Sequence, residues 1–317
     1  MKNSCGAILC LALSLATSAG AHSGGRVYPI PELTDEMLEK IQLDDGSVEE
    51  WYDLIGEPAM SLVDFRLYGT VPDPSDLDFR IWLAWHGDPD RLYIAFSSSD
   101  DVFHESPWSG NDIELQLTID GNHSGGDGYS NFTFDESEGV WGEAQQYKAM
   151  ARTATGEPAL HAYYTSSSGG RGFISDGSAD SWTLFPPYAD IGGDIAGENP
   201  TITVIELYVT PYDSWQGYDS GPEGAVVTDL TAGEFIGFAI IVSDEDGEDG
   251  WYPLTPEAVQ TEDPWENLLF LYRADLYLDG LLLSADQAGP RDGSAVESVT
   301  WGRIKASLEI KASLEME

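Results

Sequence analysis

An all-β fold is the class this sequence predicts: an antiparallel β-sandwich, jelly-roll-like, with long loops and one short N-terminal helix. Three observations carry that expectation. Strand-like runs occur at Phe79–Trp85, Leu92–Phe96, Ile113–Ile119, Tyr129–Phe134, His161–Thr165, Ser181–Phe185, Ile202–Val209, Phe235–Val242 and Leu268–Leu278, with apolar and polar residues alternating most clearly at Ile113–Ile119. Such a period of two marks strands with one buried face. The 34 glycines and 17 prolines punctuate these runs rather than interrupt them, as turns do. No convincing helical period lies between the runs, which argues against α/β units around a parallel sheet.

Taken in order, residues 1–21 read as a secretory signal peptide. Lys2 supplies the charge, Ala7–Ala16 the short apolar stretch and Ala19-Gly20-Ala21 the cleavage motif before His22. The apolar run is too short for a transmembrane helix. Both cysteines, Cys5 and Cys10, fall inside the signal, so export without disulfides is expected, in a secreted, extracellular or periplasmic protein of bacterial type. Residues 22–43 read as a lead-in, flexible over His22–Pro31, followed by the short helix. Thr34 is placed as its N-cap, Leu33 and Leu38 as a hydrophobic staple, and Asp35 and Glu36 in the first turn. The sandwich is expected over 44–285, with the Gly/Ser/Asp-rich region 141–200 as long loops or an inserted hairpin. Residues 286–317 read as a tail, in which Ile304-Lys-Ala-Ser-Leu-Glu recurs at once from Ile310.

Faces can be assigned within the strands. Phe79, Ile81, Leu83 and Trp85 share one, as do Ile205, Leu207 and Val209, and Ile236, Phe238, Ile240 and Val242. Trp82 and Trp85 are therefore structural. The 56 acidic and 14 basic residues give a formal charge of −42, which repels nucleic acid and anionic membrane surfaces. Disorder is the other reading of such a charge, and it fails against 42% hydrophobic residues and ten tryptophans.

The strand around which the chain is organised runs from Asn111 to Asp120. Ile113, Leu115, Leu117 and Ile119 alternate with Asp112, Glu114, Gln116 and Thr118, giving one aliphatic face and one able to form hydrogen bonds throughout. Trp108 lies in the loop before it, and the turn Asp120-Gly-Asn122-His-Ser124-Gly-Gly-Asp127 follows. An aromatic platform, a polar strand face and an oxygen-rich turn suit a sugar-binding or calcium-stabilised sandwich.

Four motifs resemble carbohydrate-binding module family 9 and related DOMON-like β-sandwich domains. They are Arg91-Leu-Tyr-Ile-Ala-Phe-Ser with Asp100-Asp101-Val102, Asn111–Asp120, Val204-Ile-Glu206-Leu-Tyr-Val, and Gly233–Asp246. They occur in the family's order across roughly 80–280. The resemblance implies a non-catalytic module that holds a sugar between two aromatic side chains while polar side chains read its hydroxyls. Trp108 and Glu114 are similar to the family's first aromatic and strand glutamate, and Asn131 to the asparagine of its next strand. Tyr129 stands where the family's basic residue is expected. Trp251 is taken as the second aromatic, with Trp215 and Trp265 as rivals. An indole face buries the C–H face of a pyranose, and carboxylates and amides pair with its rim. Glu206 has the second reading of a residue that caps or pairs within the sheet.

Two turns read as candidate calcium sites: Asp120, Asn122 and Asp127 in the first, and Asp244, Asp246 and Glu248 in the second. Hard oxygen donors select Ca²⁺ over zinc. The first begins like a calcium loop but lacks the acidic residue at its twelfth position. No nucleophile elbow, P-loop, HExxH or Rossmann glycine pattern is present. The expected partner is a glycan or polysaccharide, with no membrane insertion, alongside a partner enzyme or a cell-surface component. The alternatives are a structural or adhesive cell-surface sandwich, a glycoside hydrolase or polysaccharide lyase, and a haem domain, for which Met60, Met150, His104 and His161 would have to supply ligands.

Overall fold

The computed structural model describes residues 26–67, 69–103, 114–123, 144–153, 156–165, 171–174, 182–214, 222–244, 252–259 and 276–288. The strands are β1 Val27–Pro31, β2 Met60–Ser61, β3 Phe65–Arg66, β4 Leu77–Gly87, β5 Asp90–Asp100, β6 Glu114–Asp120, β7 Gln145–Met150 and β8 Ala159–Thr165. They continue with β9 Arg171–Ile174, β10 Ala189–Ala196, β11 Thr201–Val209, β12 Tyr212–Ser214, β13 Val226–Val227, β14 Phe235–Asp244, β15 Tyr252–Pro256 and β16 Leu278–Leu283. Two short helices near the N-terminus are α1, Asp35–Leu38, and α2, Glu49–Ile55.

The strands form two large sheets. One runs β1-β16-β14-β6-β7-β8-β9 with β15 and β3 attached through β14, and the other runs β10-β11-β5-β4-β2. Among the described strands all pairings are antiparallel except β1 with β16. The expected all-β sandwich is what the chain forms. Phe79, Ile81, Leu83 and Trp85 from β4 meet Leu115, Leu117 and Ile119 from β6, and Phe238, Ile240 and Val242 from β14, in one buried core. Alternation along each strand produces that layer, because residues two apart share a face. Trp85 also ties the sheets together, its indole N–H donating to the Leu283 carbonyl of β16 at 3.0 Å. Among the described residues no helix is long and apolar enough to cross a membrane.

Several elements differ from the sequence expectations. Val27–Pro31 is an ordered edge strand rather than a flexible lead-in. Tyr28 and Ile30 point into the core, and Tyr28 packs edge-on against Phe238 at 5.6 Å. The Ser181–Phe185 run contains a turn of 3₁₀ helix at Trp182–Leu184 instead of a strand. Region 141–200 supplies β7, β8, β9 and β10, so it is integral to both sheets rather than a set of loops. Of the other runs, Tyr129–Phe134 lies outside the described residues, and so does Leu268–Leu278 up to residue 275.

Helix α1 begins as expected: Thr34 Oγ1 accepts from Met37 N at 3.3 Å, and Leu33 and Leu38 belong to one apolar cluster. Helix α2 has no counterpart in the sequence reading. Glu49 and Glu50 occupy its first turn, where carboxylates favour the positive end of the helix dipole. Trp51 and Ile55, four residues apart, form its buried stripe. Gly56, at φ +80°, ends it, in a region of backbone space that side chains other than glycine's rarely adopt.

Both helices cover the outer face of the five-stranded sheet. Leu33, Trp51 and Ile55 pack on Trp82, Ala84, Tyr93, Ala95 and Tyr208 in a second cluster separate from the inter-sheet core. The cluster is fixed by directional bonds as well as area. Trp82 Nε1 donates to the Gly56 carbonyl at 2.9 Å, closing the C-terminal end of α2 on β4.

Candidate functional site

On the nine-stranded sheet, the face turned away from the core carries rows of polar side chains. Antiparallel pairing aligns Gln116 of β6 with Lys148 of β7 and Lys148 with His161 of β8; a second row aligns Thr118 with Gln146. Residues paired in this way share a face. The polar face of β6 is therefore continued by Gln146, Lys148 and His161, none of which the sequence reading had placed in the site. Their signal was the Gln145–Met150 alternation, hidden in a region rich in loop-forming residues. The face is not solvated as an ordinary outer face would be. Thr118 and Gln146 are fully buried and Gln116 nearly so, and neither end of the Gln146 amide has a hydrogen-bond partner.

Strand ends determine which of the expected ligand residues can meet. Glu114, the first residue of β6, pairs with Ser243 of β14, next to Asp244 at that strand's end. Residues 104–113, which carry Trp108, and 245–251, which carry Trp251, thus join the sheet at neighbouring strand ends. The Gln116–Lys148–His161 row lies two residues in from the same end. Trp108, Asn131 and Trp251 themselves lie outside the described residues. Segment 124–143, which carries Asn131, leaves and returns at the far end, where Ile119 pairs with Gln145.

The two candidate calcium turns are at opposite ends of this sheet. Asp120 pairs with Gly237, seven residues along β14 from Asp244, a separation of about 23 Å at strand rise. They cannot brace one common loop cluster. Asp120 and Asp244 are both buried, and Asn122 is exposed. Asp127, Asp246 and Glu248 lie outside the described residues.

A different carboxylate cluster lies on the five-stranded sheet, under α2. Glu206 of β11 is fully buried, and its Oε1 accepts from the Trp51 indole N–H at 2.6 Å. Its neighbours across the sheet are Gly192 of β10 and Ala95 of β5. These small residues leave room above the glutamate, and the chain before α2 fills it. A methyl group on Gly192 would lie 1.6 Å from the Leu43 carbonyl oxygen. Glu50 from the first turn of α2 and Asp45 from the preceding turn complete the cluster. One carboxylate oxygen from each of Asp45, Glu50 and Glu206 lies within 4.8 Å of the others.

Burial pushes the Glu206 carboxyl up to about 8; the Trp51 hydrogen bond opposes this, and the charges of Glu50 and Asp45 add to it. Burial also raises Glu50, against the backbone N–H groups of Glu50 and Gln42. With Glu206 above its ordinary value of 4.5, the stability linked to its proton is fully present below about 4.5 and is lost as pH rises through about 8. In a chelating buffer, the wild-type unfolding midpoint should therefore fall between about pH 4.5 and 8 and level off above. Glu206→Gln, which accepts the same indole bond, should flatten that slope. An equal slope in the variant would show that Glu206 is not the group responsible.

No family model matches the chain, and no curated protein matches it. Among solved structures, it is similar to a carbohydrate binding module family 9 (CBM9) from Caldicellulosiruptor kristjanssonii in complex with glucose, at 10% identity and a TM-score of 0.47, over 82% of this chain and 96% of that one. A carbohydrate binding module family 9 from the same organism in complex with cellotriose is similar over 86% of this chain and 98% of that one, at 10% identity and a TM-score of 0.47.

Proposed function

We propose that the protein is a secreted, non-catalytic glycan-binding module whose ligand meets the outer face of the nine-stranded sheet at Lys148 and His161, the partly exposed members of its polar row. The carrying observation is the Gln116–Lys148–His161 row, which extends the polar face of β6 over three strands. The ammonium of Lys148 and the imidazole of His161, both partly exposed, offer donors and an acceptor to the hydroxyl rim of a sugar. The segments bearing Trp108 and Trp251 join neighbouring strands at the end nearest that row, where indole faces would cover the sugar's C–H face. The four ordered motifs that resemble family 9 modules support the same reading.

Polysaccharide pull-down and a glycan array with the mature protein test it. Binding without release of oligosaccharides or unsaturated ends is the expected result; release of either would replace the reading with a hydrolase or lyase. For the glycan identified, Trp108→Ala should weaken binding by about 1–3 kcal/mol, roughly 5- to 150-fold, with the unfolding midpoint unchanged. Lys148→Ala should weaken it by about 1 kcal/mol, the scale of one hydrogen bond. Unchanged affinity in both variants would remove the ligand from this face, and a Trp108→Ala protein that unfolds would make Trp108 a packing residue.

A further inference from the structure

We propose that Asp45, Glu50 and Glu206 form a calcium site that clamps α2 and the turn before it onto the outer face of the five-stranded sheet. It lies on the other sheet from the glycan face and does not depend on that reading. Two adjoining segments, the 42–47 turn and the first turn of α2, and the middle of β11, far along the sequence, deliver the donors.

Two observations point to a cation rather than to chance crowding of surface acids. First, the cluster is graded from surface to interior, with Asp45 exposed, Glu50 half-buried and Glu206 fully buried. Inside it, Glu206 Oε2 and Glu50 Oε1 are both buried without a hydrogen-bond partner. The hydrogen bond that holds the glutamate, from Trp51, reaches the other oxygen, Oε1. An orphaned buried carboxylate oxygen is costly unless something electropositive meets it. Second, the charges acting on Glu206 are those of Glu50 and Asp45, both acidic. The indole N–H, which outweighs either charge, meets only Oε1, and a positive ion would meet the two oxygens it does not reach.

The donor set selects the ion. All three side chains offer carboxylate oxygen, the donor of hard cations. One oxygen from each residue lies within 4.8 Å of the others; three carboxylates suit the flexible all-oxygen coordination of calcium, whereas magnesium keeps several waters and takes one or two carboxylates. The small residues beside Glu206 have a purpose in this arrangement. Gly192 lets the Leu43 carbonyl approach β10, which brings the turn carrying Asp45 down to the sheet.

The test is calcium binding and thermal unfolding of the mature protein at constant ionic strength, with magnesium as control and terbium as a luminescent substitute. Calcium should raise the wild-type melting temperature by several degrees, and terbium should show emission sensitised by Trp51, whose indole contacts a ligand oxygen. Glu206→Gln keeps the indole bond while removing the charge. It should reduce affinity at least tenfold and abolish most of the melting shift. Asp45→Asn, at an exposed position whose amide oxygen can still accept from Ser47 N, should do so in part, and it serves if Glu206→Gln does not fold. Asp246→Asn, in the acidic turn after β14, should leave the shift intact. A wild-type protein indifferent to calcium would overturn the proposal, and stabilisation by Glu206→Gln would then make the pair a shared-proton contact. So would a calcium shift that survives both cluster variants, or one that follows Asp246→Asn.

Discussion

Replacing Trp51 with alanine should lower the stability of the protein by about 3–5 kcal/mol, the range for removing a large buried aromatic side chain. Trp51 is fully buried between α2 and the five-stranded sheet, among Leu33, Ile55, Trp82, Tyr93 and Tyr208. Truncation would leave a cavity that a seven-residue helix, pinned at its far end by the Trp82–Gly56 bond, cannot collapse to fill. It would also remove the donor to Glu206 and leave a third carboxylate oxygen without a partner. Trp51→Phe separates these effects: it retains most of the apolar volume and loses the N–H, which should cost about 1–3 kcal/mol. Urea unfolding followed by circular dichroism measures both. A loss below about 1 kcal/mol for Trp51→Ala would mean that α2 is not docked on the sheet in solution.

Gly192→Ala should be the most disruptive single-carbon change available in the described part of the sheet. The added methyl would lie 1.6 Å from the Leu43 oxygen, 2.2 Å from its carbonyl carbon and 2.8 Å from Asp44 N. These are backbone atoms of a packed turn, so no rotamer change relieves the overlap, and the 42–47 turn must lift away from β10. Overpacking of this kind costs about 1–3 kcal/mol, and the upper end is expected because the displaced turn also carries Asp45. Lifting the turn should reduce the calcium response along with stability. Near-unchanged unfolding of the alanine variant would place the turn elsewhere than on Gly192.

Much of the fold was legible because burial in a sandwich follows a local rule. The alternation in Phe79–Trp85, Ile205–Val209 and Ile236–Val242 named the inward residues correctly, and the Thr34 cap with its Leu33–Leu38 staple was equally local. The sequence by itself thus determined the class, the inner faces and the start of the first helix, since each depends on neighbours within a few residues. It did not determine what covers the outer faces. Glu206 reads as part of a family-like strand motif or as a residue that caps or pairs within the sheet, and nothing near it in sequence shows that Trp51, 155 residues earlier, reaches across to it and leaves it fully buried. Helix α2 spans about two turns, too short for its period to stand out, and packing on the sheet rather than propensity stabilises it. The same holds for Gln146 and Lys148, whose place beside Gln116 and Thr118 comes from strand order. Only the tertiary structure decided that Glu206 joins Asp45 and Glu50, because side-chain periodicity specifies which way a residue points and not what the chain later brings against it.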